Sequence, residues 1–194
     1  MIAERLKQSF DKFYPAPLSV WERFASYCTY TTFEKNEIIK EAGTIENYGY
    51  FILSGSCGTF VWKDGNQVCL DLVYEEEFFG DSMSLNTGEA SPVETMALEK
   101  CEMLRISKEN IARLKQTEMG KWLFMMAAEM DFVNKQKQQI DLLLKTAAER
   151  YEDLLDKQPK LILRTPQKVI ASYLGITPQS LSRIRKELHE KNHA

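Results

Sequence analysis

The residue types best placed to do chemistry lie near the C-terminus. Gln179, Ser180, Ser182, Arg183 and Lys186 share one side of a short helical stretch whose other side carries Leu181, Ile184 and Leu188. Gln can pair in bidentate fashion with adenine and Arg with guanine N7 and O6, while hydroxyls and ammonium groups hold phosphates. Thr177 precedes Pro178, an N-cap followed by a residue suited to the first helical position, and Arg185 flanks the apolar row. An earlier Thr165-Pro166 opens a matching helix with Val169, Ile170, Tyr173 and Leu174 apolar, and Gly175 stands where a left-handed C-cap costs least. Two short helices joined by a turn of about four residues form a helix-turn-helix, which lays its second helix in the DNA major groove. The alternative is a helical hairpin with a solvated basic face.

No catalytic or metal-binding constellation accompanies this motif. Glu75-Glu76-Glu77 is a charge run of the kind that forms a solvated loop. Cys28, Cys57, Cys69 and Cys101 form no C-x-x-C pair, and the two histidines, His189 and His193, stand at the C-terminal end. No zinc, iron–sulfur or haem site is expected, and the thiols are expected to be free and buried. The chain is read as a non-enzyme that requires no cofactor. A jelly-roll enzyme of the cupin type would need a His-rich metal set.

Charge is unevenly divided. Residues 157–194 hold eight Lys/Arg against two Glu, a net of +6, whereas the preceding residues hold 17 basic and 26 acidic, a net of −9. A local basic face grips phosphates while an acidic body discourages non-specific adhesion. Hydrophobic residues make up 44% of the 194 positions, enough for packed cores. No apolar run is long enough to span a membrane, and Met1 to Lys7 lack a signal-peptide core, so no membrane association and a cytoplasmic location are expected.

The elements that must position the motif follow from periodicity. Residues 3–14 suit an amphipathic helix with Leu6, Phe10 and Phe13 on one face, stopped by Pro15 and Pro17; a second helix runs from Ser19, as N-cap, to about Tyr27. Between Thr29 and Ile106 short β-rich runs (30–33, 37–40, 48–53, 58–62, 68–73, 95–98, 103–106) alternate with turn residues, Asp64-Gly65 being a strong hairpin signal. This texture predicts a sandwich, barrel or jelly roll. Helix returns at Ser107, with a break at Gly120 and then a long helix to about Leu144. Met119, Met126, Val133 and Ile140 form one heptad row, and Trp122, Glu129, Gln136 and Leu143 a second, mixed row. That pattern suits a helix (about 118–145) packed on its own β domain and on a second copy. A helix lying only on its own sheet is the alternative. Thr146-Ala147-Ala148-Glu149 is a capping box, which starts a new helix, closed by Pro159, and makes the join between domains 1–145 and 146–194 stiff. The fold class is α+β: an N-terminal β-roll, a long central helix, then a small helical domain.

This order of parts resembles the CRP/FNR family of bacterial transcription regulators over nearly the whole chain, most closely its Bacteroidetes-type branch. Ile39 to Gly43 with Tyr50 to Gly55 resembles the β-roll glycine turns, Glu77-Phe78-Phe79-Gly80-Asp81 the entrance to the phosphate-binding cassette, and Gly175 to Lys186 the recognition motif. The resemblance implies a homodimer paired along the central helix through Trp122, Met126, Glu129, Val133, Gln136 and Ile140. It implies binding to pseudo-palindromic double-stranded DNA, with RNA polymerase as a further candidate partner. Family base-reading positions fall on Pro178, Gln179 and Arg183, and Pro178 cannot donate to a base; Thr177 and Ser180 would meet phosphates. The family's wing after the recognition helix is not matched before Ala194, so a smaller footprint is expected, partly made up by Lys191 and the tail. In the cassette Gly80 matches, Asp81 takes the place of the ribose-binding Glu, Ser82 follows it, and Ser91-Pro92 stand where an Arg and a Ser/Thr are expected. A hydroxyl cannot supply an arginine's bidentate charge, so cyclic AMP or cyclic GMP is not expected to bind in the usual way, and the effector is left open. The competing reading is a ligand-sensing or protein-interaction module without specific DNA binding.

Overall fold

The computed structural model describes residues 2–11, 14–157 and 159–191. Phe13 and His193 lie outside them. Helices α1 (Ile2–Phe10) and α2 (Leu18–Ser26) bury Leu6, Trp21 and Phe24 against the back of the β domain. Pro17, not Ser19, is the N-cap of α2: its extended ψ already directs the chain into the helix, and Ser19 falls in the first turn.

Eight strands follow: β1 (Cys28–Phe33), β2 (Ile38–Lys40), β3 (Tyr48–Ser54), β4 (Cys57–Lys63), β5 (Asn66–Val73), β6 (Phe78–Phe79), β7 (Glu94–Ala97) and β8 (Cys101–Ser107). They form two antiparallel four-stranded sheets, ordered β1-β8-β3-β6 and β2-β7-β4-β5. Asp64 and Gly65 both have positive φ, 50° and 74°, and close the β4–β5 hairpin as a two-residue turn. Tyr50, Ile52, Cys57, Phe79, Ala97, Cys101 and Met103 fill the space between the sheets. Phe51, Leu53, Leu104 and Ile106, on the alternate face, pack on α1 and α2. Among the described residues all four cysteines are free; three are buried and Cys28 is half-buried.

Two short elements escape the sequence pattern. β6 pairs Phe78 and Phe79 with Phe51 and Tyr50, and α3 (Ser82–Thr87) occupies the cassette. Helix α4 (Lys108–Leu114), which begins where helix was expected to return and is capped by Ser107, is followed by α5 (Glu118–Leu144), capped by Thr117. The break therefore lies at residues 115–117, not at Gly120. Gly120 sits inside the first turn of α5, where a Cβ would lie 1.9 Å from the Leu114 carbonyl oxygen. Its smallness lets two helices meet; it does not interrupt one.

At the join, Lys145 binds Asp141 and Asp153, and the Thr146–Glu149 capping box forms reciprocally: Glu149 accepts from the Thr146 amide at 2.7 Å, and Thr146 from the Glu149 amide at 3.2 Å. The C-terminal helices are α6 (Ala147–Lys157), α7 (Pro159–Arg164), α8 (Gln167–Tyr173) and α9 (Pro178–Lys191). They share a core of Tyr151, Ile162, Ile170, Ala171, Leu174 and Leu181.

Candidate functional site

The helix-turn-helix consists of α8 and α9. Gly175, at φ 69°, closes α8: its amide bonds the Ser172 carbonyl and the Ile176 amide the Ala171 carbonyl, which satisfies the last carbonyls of the helix. Thr177 caps α9 by accepting from the Ser180 amide at 3.1 Å, and its hydroxyl also meets that of Ser180. Thr165 does not repeat this role. Pro166 is the N-cap residue of α8 without a side-chain bond, and the buried Thr165 hydroxyl pairs with the Tyr74 hydroxyl instead. A contact with the β domain takes the hydroxyl that sequence assigned to capping.

Leu181 is fully buried, whereas Thr177, Gln179, Ser182, Arg183, Arg185 and Lys186 are exposed and Ser180 is half-buried. The amphipathic spacing thus turns the hydrogen-bonding face of α9 outward. Arg185 leans toward Tyr151, Leu155 and Leu188, where it lines a small cleft; Lys186 lies 3.8 Å from Glu190.

Helix α8 is docked on the β domain. Its Val169 and Tyr173 join Phe60, Cys69, Leu72, Tyr74 and Leu98 in one apolar cluster. Ser172 Oγ accepts from the Cys69 amide at 2.9 Å. Arg164 reaches across to both carboxylate oxygens of Glu75, at 2.8 and 3.1 Å, and to Glu99 at 2.8 Å. Although partial burial pushes the Glu75 carboxyl up, the Gly55 amide and Arg164 outweigh it and hold the group below its ordinary range. Burial of Arg164 is likewise outweighed by the two carboxylates, and its pKa is raised.

In the cassette, Asp81 is the N-cap of α3 and accepts from the Ser84 amide at 3.1 Å. Ser91 donates to it, and Lys40 of β2 forms an ion pair with it at 3.1 Å, both side chains being almost wholly buried. The Lys40 ammonium also donates to the Val93 carbonyl at 2.7 Å and lies 3.2 Å from Ser91 Oγ. Burial pushes the Asp81 carboxyl up, but Ser91, the Ser84 amide and Lys40 together bring it below its ordinary value. Gly80 precedes it at φ 136°, and Ser82 and Pro92 are exposed. Sequence reasoning finds no cation here. The structure supplies Lys40, which the β2–β7 pairing brings in from 51 residues before Ser91.

Of the central-helix residues, Trp122 stacks on Tyr14 with ring centroids 3.9 Å apart and so faces its own domain, and Met126 is half-buried. Glu129, Val133, Gln136 and Ile140 are exposed. Phe132, Leu143 and Leu144 extend this apolar surface, at 63%, 78% and 79% exposure. Lys135 pairs with Asp71 and Gln138 donates to the Leu70 carbonyl, so the opposite side of α5 holds β5.

Residues 30–118 match the family model of the cyclic nucleotide-binding domain. The structure is similar to FixK2 from Bradyrhizobium japonicum, with a TM-score of 0.73 and 19% identity over 85% of this chain and 86% of that one. It is also similar to the c-di-GMP-responsive global regulator CLP of Xanthomonas campestris (TM-score 0.68, 18% identity, 91% and 93% of the chains). A third similar structure is the Thermus thermophilus catabolite activator protein (0.54, 19%, 95% and 87%). No curated protein sequence matches the chain. The chain therefore has the CRP/FNR fold: a cyclic nucleotide-binding-type β-roll, a long central helix and a helix-turn-helix. No helix among the described residues is long and apolar enough to cross a membrane.

Proposed function

We propose that this protein is a sequence-specific DNA-binding transcription regulator of the CRP/FNR family, acting as a homodimer in the cytoplasm and needing no cyclic nucleotide. The observation that carries the reading is α9: a Thr-capped helix anchored by Leu181, with Gln179, Ser182, Arg183 and Lys186 presented to solvent. The apolar surface of α5 supports pairing with a second copy, which would set two α9 helices on a two-fold symmetric site. RNA polymerase is the partner such a regulator would engage.

The cassette supports independence from cyclic nucleotides. Its cation is Lys40, and the ammonium is already committed to Asp81, Ser91 and the Val93 carbonyl. Asp81, in the place of a ribose-binding carboxylate, is committed to α3 and Lys40. A cyclic phosphate would have to break this buried pair.

Selection of duplexes from a random pool by the purified protein tests the proposal. A symmetric site with half-sites about one helical turn apart is expected. Arg183→Ala is then expected to cost roughly 1–3 kcal/mol at one base pair per half-site, and Lys186→Ala to weaken all sequences alike. Equal losses on specific and random DNA for Arg183→Ala would refute base reading. Sub-micromolar cyclic AMP binding by calorimetry would refute the cassette reading.

A further inference from the structure

Two of the four thiols meet between the sheets. Cys57, at the start of β4, and Cys101, at the start of β8, are both fully buried, and their Sγ atoms stand 3.8 Å apart, close enough for one S–H to donate to the other sulfur. The two residues belong to opposite sheets and lie 44 positions apart, so packing of the sheets brings them together. Cys28 and Cys69 bond backbone carbonyls instead, those of Phe24 and Asp71.

The corners that carry this pair also carry the latch on α8. The Gly55 amide donates to Glu75 at 3.0 Å and the Ser56 hydroxyl to Glu99 at 2.7 Å; these are the two carboxylates that Arg164 grips. The Leu98 amide donates to the Ser56 carbonyl at 2.8 Å, which ties one corner to the other. Cys101 Sγ lies 3.3 and 3.2 Å from the Ser56 and Glu99 carbonyl oxygens. A Cβ on Gly55, whose φ is 101°, would lie 2.6 Å from that sulfur, so on this side only glycine backbone covers it. Lys100, next to Cys101, is exposed, whereas both neighbours of Cys57 are buried.

We propose that Cys57 and Cys101 are oxidised to a reversible disulfide by a small hydroperoxide, and that this bond loosens the Arg164 latch. Cys101 is the attacking thiol. It lies nearer the exposed rim, and the Cys57 S–H donating to it holds it below the ordinary thiol range, while burial pushes Cys57 up. Local opening of the thin corner admits the oxidant. The Cys101 sulfur attacks one peroxide oxygen, the O–O bond breaks, a sulfenic acid forms, and with hydrogen peroxide the departing hydroxide leaves as water with the thiol proton. The Cys57 sulfur then attacks the sulfenic sulfur and expels a second water. The two thiols lose two electrons and two protons, and the peroxide gains them. Drawing Cys101 toward Cys57 pulls its sulfur off the two carbonyls and displaces the corners that seat Glu75 and Glu99. The latch bonds, at 2.8 to 3.1 Å, already lie close to the best charge-assisted geometry, so displacement weakens them. The coupling is reciprocal: release of Arg164 favours the cross-link. This inference stands whether or not the chain reads DNA.

Treatment of the full chain with hydrogen peroxide, then alkylation of free thiols in denaturant and peptide mass mapping, tests it. A peptide linked through Cys57 and Cys101 is expected, with Cys28 and Cys69 alkylated and the link removed by dithiothreitol. Cys57→Ser should leave Cys101 as a sulfenic acid that dimedone captures, and Cys28→Ser/Cys69→Ser should cross-link like the wild type. Arg164→Ala should speed cross-linking ~5-fold, the scale set by losing a partly exposed ion pair. Cross-linking should speed amide hydrogen exchange along β5, and dithiothreitol should reverse the change. Thermal melts of each variant separate lost reactivity from lost folding. Four alkylated thiols after millimolar peroxide overturn the proposal, as does a link through Cys28 or Cys69. Unchanged exchange in the cross-linked protein, or an unchanged rate in folded Arg164→Ala, overturns the coupling to the latch.

Discussion

Replacing Lys40 by Met tests the cassette's internal ion pair directly. Lys40 and Asp81 side chains are 3% and 2% exposed, so no water can take over when the ammonium is removed. Asp81 would keep its bonds from Ser91 and the Ser84 amide but lose its counter-charge, and the Val93 carbonyl would lose its donor. Breaking a buried pair from one side costs about 3–5 kcal/mol. At about 2–4 °C per kcal/mol for a chain of this size, the melting temperature should fall by ~6–20 °C. The companion Lys40→Met/Asp81→Asn removes both charges and keeps a side chain that caps helices well, so it should recover most of the loss. The sign of the pH dependence is fixed as well. In the wild type the folded Asp81 pKa lies below its ordinary 3.8. Its stabilisation is therefore complete above that value and is lost as pH falls through the folded one. In Lys40→Met, burial is no longer opposed by the cation, the carboxyl is pushed up, and acidification relieves the penalty. The gap between the two proteins should narrow from neutral to acidic pH in urea titrations. A loss under ~1 kcal/mol at neutral pH, or a double variant no better than the single, would refute the reasoning.

Gly120→Ala should displace the start of α5 and cost at least ~1–3 kcal/mol by denaturant titration, since the added methyl meets the Leu114 carbonyl; an unchanged midpoint would show that the contact yields freely. Arg164→Ala should loosen the docking of α8 by about 1 kcal/mol, modest because Arg164, Glu75 and Glu99 are each partly exposed. Faster hydrogen exchange along β5 would report it, and unchanged exchange would count against the latch. Phe132→Asp with Leu143→Asp should convert a dimer into a monomer in sedimentation experiments; a wild-type chain that is already monomeric refutes pairing through α5.

What the sequence reveals is what neighbouring residues decide. The Asp64-Gly65 turn, the Gly175 cap, the Thr177 cap and the Thr146–Glu149 box are local devices, and each forms as its residue types dictate. Alternating apolar residues likewise mark most strands. Gly120 misleads because its role is a close approach to another helix, and glycine looks the same whether it breaks a helix or lets one in. Thr165 misleads because Tyr74, 91 residues away, competes for its hydroxyl. Lys40 has no local signature at all. A lysine or arginine on a strand reads as a solvated charge until strand pairing shows what it faces.

The docking of α8 has one further consequence. β5 is the edge strand of its sheet, and an unpaired edge invites another chain to add itself. Here Ser172 Oγ accepts from the Cys69 amide and lies within reach of the Gln67 carbonyl, Gln138 binds the Leu70 carbonyl, and Lys135 covers Asp71. Side chains of two helices thus stand in for the missing neighbour strand. Movement of the helix-turn-helix domain away from the β-roll would uncover the part of this edge that Ser172 covers, a template for intermolecular sheet growth. Freedom of that domain and resistance to aggregation are set by the same few contacts, and selection for one constrains the other.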